Sequence, residues 1–295
     1  MRAMEHPRRP ISDLEPGEPV DEVFLVRDKD LRRTQSGSLY VACTLADRTG
    51  TAAGRMWQAT ERSYAAVPVE TFARVSGRTE SYRGQLQIVI ESVRAIEAET
   101  VDVRDFLPAA ERDLDEMWQE LVEHLQTIAN PHVSALVQQF LGDQEFVDGF
   151  KKAPAAAQMH HAYIGGLLEH TLNVVRLARA VSPLYAGQVD PDLLLAGAFL
   201  HDIGKSEELR ADLTMGYTDR GNLVGHIVIA TIWLERKAAQ VAKKGGEPLP
   251  QQVLDLLQHL VISHHGTLEY GSPKVPAMTE AVLLHYLDNL DAKVH

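Results

Sequence analysis

The first third of the chain alternates between apolar and polar residues with a period of two. The alternation occupies five short segments rich in β-branched residues, at 20–26, 38–45, 51–57, 71–76 and 86–93. Glycines separate these segments, and residues 48–50 and 82–84 are typical of hairpin turns. About five strands in a stretch of roughly 80 residues predict a small closed β-barrel such as the OB-fold.

From about Leu107 the apolar positions recur with a period of 3.6, which predicts helices to the end of the chain. We expect helices over 111–128, over 130–140, from His160, from Asp190, over 222–243, from Pro250 and from Thr279. The predicted fold class is α+β with two domains, a small N-terminal barrel followed by an all-α bundle. The predicted divisions are 1–17 (leader), 18–100 (OB-fold nucleic-acid-binding domain), 101–158 (helical connector) and 159–295 (catalytic domain).

One apolar helical run ends in a polar pair. Residues 193–200 are apolar or small, and His201 and Asp202 follow directly, before Gly204 and Lys205. A neutral imidazole and a carboxylate are suitable metal ligands, and the second carboxylate oxygen can bridge to another ion. Lys205 comes about one helical turn after Asp202, close enough to hold a phosphate there.

Five predicted helices each carry an imidazole or a carboxylate on an apolar stripe. These residues are His170, His201, His226, His264 and Asp288, and Asp202 and His265 lie next to two of them. A single inward histidine is more often a satisfied core residue, but a buried carboxylate is costly unless it is paired or bound to metal. A shared metal centre would satisfy the whole set. Since the single cysteine lies in the other domain, we expect nitrogen and oxygen ligands and a hard or borderline ion, namely Mn²⁺, Fe²⁺, Mg²⁺, Co²⁺ or Zn²⁺.

The barrel segment interleaves arginines with aromatic residues. This combination suits a groove that follows a single-stranded backbone while bases stack on the rings. Trp57 and Tyr82 are the predicted stacking residues, and Arg55 and Arg83 are the predicted backbone contacts. Aromatic residues of a small barrel are often core and scattered arginines are often only solvated, so both interpretations stay open on spacing alone.

Charge and cysteine content narrow the class of protein. The net charge of −12 argues against a bulk polyanion binder, but residues 18–99 carry 11 Lys and Arg against 12 Asp and Glu, whereas residues 100–295 carry 15 against 26. The barrel can therefore carry a local basic face. One cysteine, Cys43, fits a reducing compartment, and the chain has neither an apolar run of membrane-spanning length nor an apolar segment near Met1. We expect a cytoplasmic protein without a membrane partner.

The motifs resemble a known family. His170, His201-Asp202 and Asp288 match the H…HD…D pattern of the HD-domain metal-dependent phosphohydrolases. The stretches HHAYIGGLLEHT, LLAGAFLHDIGK, GHI, SHHG and LHYLDNLDAK resemble the YhaM-type 3′-5′ exoribonucleases in particular, over about residues 20–292. That family joins an N-terminal OB-fold to an HD domain, which implies the same order here.

The resemblance also implies roles for individual residues. A first metal would be held by His170, His201, Asp202 and Asp288, and a second by His226, His264 and His265 with Asp202 as the bridge. One or two ions per chain are expected, and two are favoured. Asp202, Lys205 and His161 are the predicted catalytic residues, with Lys205 on the scissile phosphate and His161 near the phosphate or leaving group, while His160 would contact the nucleic acid.

The expected activity is removal of nucleotides from the 3′ end of single-stranded RNA, with single-stranded DNA as a further substrate, by attack of a metal-activated water. The first alternative is a phosphohydrolase of small nucleotides or cyclic dinucleotides that uses the same site. The second is a binding protein whose site is inactive, which the full ligand set and Lys205 argue against. A homo-oligomer would help to enclose a strand.

Overall fold

A computed structural model describes residues 8–107, 109–156, 163–210 and 216–294. The chain divides into two compact units, Met1–Pro108 and Ala109–His295. Within the described residues, no helix combines the length and the apolar character needed to cross a membrane.

The first unit is a closed five-stranded barrel, which confirms the predicted OB-fold. Its strands are β1 (Pro19–Arg33), β2 (Leu39–Asp47), β3 (Gly50–Met56), β4 (Thr71–Tyr82) and β5 (Gln85–Ile96). Their order around the barrel is β1-β2-β3-β5-β4, with β1 also paired to β4. Strand β1 is longer than predicted because its first half pairs with β4 and its second half with β2.

Both predicted hairpins are present in the barrel. Residues 48–49 connect β2 to β3, and Arg83 and Gly84 connect β4 to β5 with φ of 53° and 77°. Two positive φ values in a two-residue turn match the right-handed twist of the flanking strands. Between β3 and β4 lies a short helix, α1 (Glu61–Ala66), which Thr60 caps through its side chain.

The second unit is a helical bundle, as predicted. Its helices are α2 (Leu114–Leu125), α3 (Pro131–Leu141), α4 (Gln144–Lys152), α5 (Gly166–Val181), α6 (Pro191–Leu200), α7 (Lys205–Glu208), α8 (Asp219–Val224), α9 (His226–Lys243), α10 (Gln251–Ser263) and α11 (Thr279–Val294). Two short strands that the sequence did not predict, β6 (Leu209–Arg210) and β7 (Gly216–Tyr217), pair between α7 and α8.

Helix α6 lies at the centre of this bundle, since every residue of 193–200 is buried. It packs against α5, α10 and α11. A helix that is apolar on all sides is typical of a buried position. Helices α2–α4, which the sequence predicts as a connector, share the same hydrophobic core through residues such as Met117, Phe140 and Phe150.

Three predicted helix boundaries were wrong for local reasons. The helix predicted over 111–128 begins at Leu114, because the Asp113 side chain accepts hydrogen bonds from the next backbone N–H groups as an N-cap. The helix predicted over 222–243 is two helices, α8 and α9, separated by Gly225 at a φ of +79°. The helix predicted from His160 begins only at Gly166 in the described chain, because Ile164 instead forms a β-bridge with Ala109.

Candidate metal centre and strand-binding surface

The predicted metal ligands gather inside the helical unit. His170 lies within α5 and Asp288 within α11, while His201 and His264 end α6 and α10 and His226 begins α9. Asp202 and His265 follow the two histidines that end helices. Since α6, α9 and α10 present these side chains at their termini, the cluster lies where helices from different parts of the sequence meet.

The first group consists of His170, His201, Asp202 and Asp288, whose ligand atoms all lie within 4.8 Å of one another. His170 Nε2 is 3.2 Å from His201 Nε2 and 3.2 Å from Asp288 Oδ1. Asp202 Oδ2 is 3.5 Å from His170 Nε2 and 3.3 Å from His201 Nε2. Four nitrogen and oxygen donors at this spacing can surround one ion.

The second group consists of His226, His264 and His265, again within 4.8 Å of one another. His226 Nε2 and His264 Nε2 each lie 3.5 Å from Asp202 Oδ1. Asp202 therefore directs one carboxylate oxygen toward each group, which is the arrangement of a bridging ligand.

Each of the five histidines in the cluster has its Nδ1 atom hydrogen-bonded to a group outside the cluster. His170 Nδ1 is 2.7 Å from Asp291 Oδ2, and His226 Nδ1 is 3.0 Å from Glu208 Oε2. The other three donate Nδ1–H to backbone carbonyls, namely His201 to Ala198 at 2.9 Å, His264 to Val261 at 2.6 Å and His265 to Tyr270 at 2.9 Å. A hydrogen bond from Nδ1 fixes the tautomer and turns the Nε2 lone pair toward the centre, as in metal-binding histidines.

Three buried atoms at the centre have no hydrogen-bond partner in the described part of the chain: Asp202 Oδ1, His226 Nε2 and His264 Nε2. Buried polar atoms are nearly always satisfied in folded proteins, so a group of unsatisfied acceptors that face one another calls for an explanation. A cation between them would satisfy all three. The residues present therefore fit a divalent metal, and the donor set of imidazoles and carboxylates suits a hard or borderline ion.

The electrostatics of the centre also favour a cation. Burial by itself raises the pKa of Asp202, but the charge of Lys205 and the neighbouring histidines outweigh it and hold that pKa well below its usual range. Burial likewise opposes ionisation of Asp288, yet its pKa is lowered by His170 and His201. The pKa of His170 is raised to about 9, because Asp288 and Asp291 outweigh the effect of burial. The ionised carboxylates of Asp202 and Asp288 thus attract positive charge to the first group, which is either a proton on His170 or a metal ion that displaces it.

Burial has the opposite outcome in the second group. It lowers the pKa of His264, and it lowers that of His265 to about 4. Both imidazoles are therefore neutral near pH 7, which is the form that binds metal.

Lys205 lies against the bridging carboxylate. Its Nζ donates to Asp202 Oδ2 at 2.6 Å, and although burial alone would lower the pKa of Lys205, Asp202 raises it. The ammonium is therefore charged and lies against the carboxylate that faces both groups. It owes this position to Gly204, because a Cβ at Gly204 would lie 2.1 Å from the backbone oxygen of His226.

Two buried carboxylates of the centre are absent from the sequence prediction. Asp291 forms a hydrogen bond with His170, and Glu208 forms one with His226. Asp291 could have been found, because it lies three residues after Asp288 on the same helical face. Glu208 is 18 residues from His226, and no local pattern links the two.

Comparisons with known proteins agree with this geometry. The model of the HD domain family matches residues 167–293. The 3′-5′ exoribonuclease YhaM of Bacillus velezensis is 35% identical over 281 residues, which cover 95% of this chain and 87% of that protein. YhaM of Bacillus subtilis is 34% identical over 284 residues, and YhaM of Geobacillus sp. is 35% identical over 282 residues. The chain belongs to the YhaM family.

Membership in the YhaM family, the HD match and the histidine–aspartate cluster together indicate a divalent metal site in the helical unit.

Among solved structures, a replication protein A domain from Methanococcus maripaludis is 24% identical and covers 30% of this chain and 96% of that chain, with a TM-score of 0.27. The OB-fold of the barrel follows from its strand order and not from this likeness.

The strand-binding residues predicted from the barrel segment lie on the outside of the barrel. A Cβ at Gly54 would meet the side chains of Cys43 and Ile90, so Gly54 faces the interior and Arg55 faces outward. Arg55 pairs with Val89 of β5, and Val89 pairs with Arg78 of β4. The two arginines therefore flank Val89 on one outer face, and the sequence had not singled out Arg78 from the other arginines.

Trp57 and Tyr82 do not form one cluster. Tyr82 pairs with Gln85 at the end of the β4–β5 hairpin, and β5 then runs parallel to β3 with Ala53 beside Gln87. Trp57 follows the opposite end of β3, so the backbone positions of the two residues are about 20 Å apart along the strand direction. Trp57 is 44% exposed and Tyr82 56% exposed, and both are open to stacking.

Each of these rings has a neighbour that could support stacking. Trp57 lies 4.9 Å from the ring of Tyr40, and the Arg83 guanidinium lies 5.4 Å from the centre of the Tyr82 ring. The remaining predicted site residues, His160 and His161, lie outside the described residues.

Proposed function

We propose that this protein is a metal-dependent 3′-5′ exonuclease that hydrolyses phosphodiester bonds of single-stranded RNA, with single-stranded DNA as a further substrate. The observation that carries the proposal is the buried centre at Asp202, in a chain that aligns over 95% of its length with 3′-5′ exoribonucleases. A strand-binding barrel and a metal centre together suit a polymer substrate.

The first ion would be held by His170, His201, Asp202 and Asp288, and the second by His226, His264 and His265 with Asp202 shared. Two ions are favoured over one, because the unsatisfied atoms of the second group and the second oxygen of Asp202 have no other use in the described structure. We propose Mn²⁺ as the ion; the nitrogen and oxygen donors accept it, as they accept Mg²⁺, Co²⁺, Fe²⁺ or Zn²⁺.

When bound, the metals supply an activated water and positive charge for the phosphoryl oxygens. Asp202 and Asp288 hold this charge in place, and Lys205 adds an ammonium beside the bridging carboxylate, where it can hold a non-bridging phosphate oxygen. His161 is proposed to lie near the leaving group.

The proposed reaction joins the water oxygen to phosphorus and breaks the bond to the 3′-oxygen of the penultimate nucleotide. That oxygen leaves with the electron pair and gains a proton, while the water loses one to solvent. The products are a nucleoside 5′-phosphate and an RNA shortened by one residue that ends in a 3′-hydroxyl. No covalent bond to the protein is needed.

The barrel is proposed to bind the single strand without reading its sequence. Arg55, Arg78 and Arg83 would contact phosphates, and Trp57 and Tyr82 would stack on bases. His160 is proposed as a further contact at the mouth of the catalytic site. Stacking and phosphate contacts accept any base, so little sequence preference is expected.

We further propose the functional division into 1–17, 18–100, 101–158 and 159–295, and a cytoplasmic location. Self-association is a prediction that sedimentation of the intact protein would check.

A second candidate function is hydrolysis of small nucleotides or cyclic dinucleotides. The observation that favours it is that all seven clustered ligands come from the helical unit alone. The barrel argues for the polymer substrate instead.

The decisive experiment incubates the Mn²⁺-loaded protein with a 5′-labelled single-stranded RNA and with a circular RNA of the same sequence. With the wild type, we expect the linear RNA to shorten stepwise from its 3′ end and the circle to stay intact. With Asp202→Asn, we expect both RNAs to stay intact. An intact linear RNA beside hydrolysis of small nucleotides would establish the second candidate.

A further inference from the structure

A small cavity lies beside the metal centre. Its volume is about 220 Å³, and its lining includes His265, Tyr270, Asp288 and Asn289. Two of these, His265 and Asp288, belong to the proposed metal ligands, so the cavity adjoins the reacting phosphate. Ligand cavities for drug-sized molecules measure about 300–1,000 Å³, so this one suits a single nucleoside better than a length of strand.

Tyr270 presents its ring from a fixed backbone. Its carbonyl accepts a hydrogen bond from His265 Nδ1 at 2.9 Å, and its N–H donates to the Thr267 carbonyl at 3.2 Å. Ser272, two residues later, has its Oγ 2.7 Å from the carbonyl oxygen of Lys274 and 3.1 Å from that of Ile262, so its single hydroxyl hydrogen bonds within the loop. The loop is therefore held on both sides of Tyr270.

Tyr270 is nevertheless 72% exposed. A single exposed aromatic residue is ordinary on a protein surface. This one differs because it lines a cavity that also contains metal-centre residues. An aromatic face is a sequence-tolerant platform for a base, since every base can stack on it.

Helix α11 provides a polar group in the same cavity. Asn289 follows Asp288 directly, lines the same cavity, and its amide has no hydrogen-bond partner among the described residues. An amide offers both a donor and an acceptor, which match the hydroxyl groups of a sugar. A flat apolar ring and a free amide together complement a nucleoside.

We infer that this cavity binds the 3′-terminal nucleoside of the substrate, with its base stacked on Tyr270. The inference rests on the proposed exonuclease function and deepens it, because it identifies the group that places the terminal phosphodiester at the metals. Tyr270 is thus a positioning residue that contacts the substrate but takes no part in the chemistry.

The test compares two 5′-labelled single-stranded RNAs that differ only in the terminal 3′ nucleotide, which is complete in one and abasic in the other. For the wild type, kcat/KM for the first cleavage is expected to be about tenfold or more higher on the complete RNA. For Tyr270→Ala the two values are expected to be equal, near the wild-type value on the abasic RNA. The substitution keeps the backbone carbonyl that accepts from His265.

Two further variants separate stacking from other effects. Tyr270→Phe keeps the ring and is expected to keep the dependence on the terminal base. Tyr185→Ala removes a 41% exposed ring beyond the far end of α5 and is expected to behave as the wild type on both RNAs. Equilibrium binding of both RNAs in an Asp202→Asn background, with and without Tyr270→Ala, should show the same pattern without any cleavage.

The possible failures are distinct. If Tyr270→Ala lowers kcat/KM by the same factor on both RNAs, Tyr270 serves to hold His265 and the proposed subsite is overturned. Unchanged kinetics on both RNAs, or a wild type indifferent to the terminal base, would overturn it as well. A wild type that shortens neither RNA would contradict the exonuclease function itself, and the subsite with it.

Discussion

Two buried aspartates, one in each unit, show how a structural carboxylate differs from a proposed metal ligand. In the barrel, Asp47 is 3% exposed and both its oxygens are used: Oδ2 accepts from Arg8 and the Ile11 backbone, and Oδ1 accepts from the backbone and hydroxyl of Thr49. In the helical unit, Asp202 is 1% exposed, yet its Oδ1 lacks a hydrogen-bond partner among the described residues.

The same contrast holds for the surroundings of the two residues. The hydrogen bonds of Asp47 tie the segment before β1 to the β2–β3 turn, so they stabilise the barrel. Asp202 accepts one hydrogen bond from Lys205 at Oδ2, and its other neighbours are imidazoles whose Nε2 atoms lie 3.3 to 3.5 Å away. Since nearly all buried polar atoms are satisfied by the fold itself, atoms left unsatisfied by it indicate a ligand-binding site more reliably than burial alone.

The largest effect is expected for Asp202→Asn. The substitution keeps the size of the side chain but removes the charge shared by both metal positions, so RNA shortening should slow by at least about 10³-fold. Initial rates on single-stranded RNA at saturating Mn²⁺ measure this. The matched variant Asp47→Asn, assayed where the barrel stays folded, should retain activity, and an equal loss in both variants would break the contrast.

Loss of the carboxylates behind the ligands should have a smaller effect. Asp291→Asn and Glu208→Gln remove the acceptors that orient His170 and His226, and each should weaken Mn²⁺ binding about 10- to 100-fold. Competition with a metal-binding dye measures the affinity. Full affinity in both variants would mean that these carboxylates serve only the fold.

Asp47→Asn should destabilise the barrel by about 1–3 kcal/mol, because it weakens hydrogen bonds to buried partners. Cys43 reports this locally: burial raises the pKa of its thiol to about 12, so at pH 8 it reacts only when the barrel opens. The rate of Cys43 labelling should therefore rise in Asp47→Asn, and an unchanged rate would show that Asp47 contributes little.

Asp47 also makes the stability of the barrel depend on pH. Burial alone would raise the pKa of Asp47, but hydrogen bonds from Thr49, Ile11 and Arg8 outweigh it and lower that pKa. Its contribution to stability is then complete above the unfolded-state pKa of about 3.9 and is lost as the pH falls through the lower folded-state value. Acid unfolding of Asp47→Asn should lack this component.

The smallest effects are expected on the outer face of the barrel. Arg55→Ala and Arg78→Ala should each raise KM for RNA and leave kcat unchanged. Each should also reduce the slope of log K against log salt concentration by about 0.7, because one phosphate contact is lost. Arg74→Ala is the control, because Arg74 is already engaged by Asp21 at 2.9 Å through two nitrogens. Slopes of the salt dependence that are equal in all three variants would contradict the proposed role of the barrel in strand binding.

Patterns within one element predicted most of what the structure shows. Alternation in the first third gave the strands and both hairpins, because the two faces of a barrel strand differ in burial. In the helices, His170 and Asp288 could be found because each shares a stripe with core residues. Asp288 and Asp291 show the same logic left incomplete, since a spacing of three residues places both on one face.

Contacts between elements could not be predicted in this way. Glu208 reaches His226 because α7 and α9 pack together, and Gly225 breaks a continuous helical pattern only through its backbone conformation. The separation of Trp57 and Tyr82 depends on the parallel pairing of β3 with β5, which no short segment encodes. Each case required the strand or helix partner to be known.

The measurement that tests the account most directly is the number of Mn²⁺ ions retained per chain after dialysis, by elemental analysis. We expect two ions in the wild type and in Asp47→Asn, and a loss of bound metal in Asp202→Asn. A wild type that holds no ion, or an Asp202→Asn chain that holds as many as the wild type, would contradict the proposal that the unsatisfied atoms around Asp202 are metal ligands.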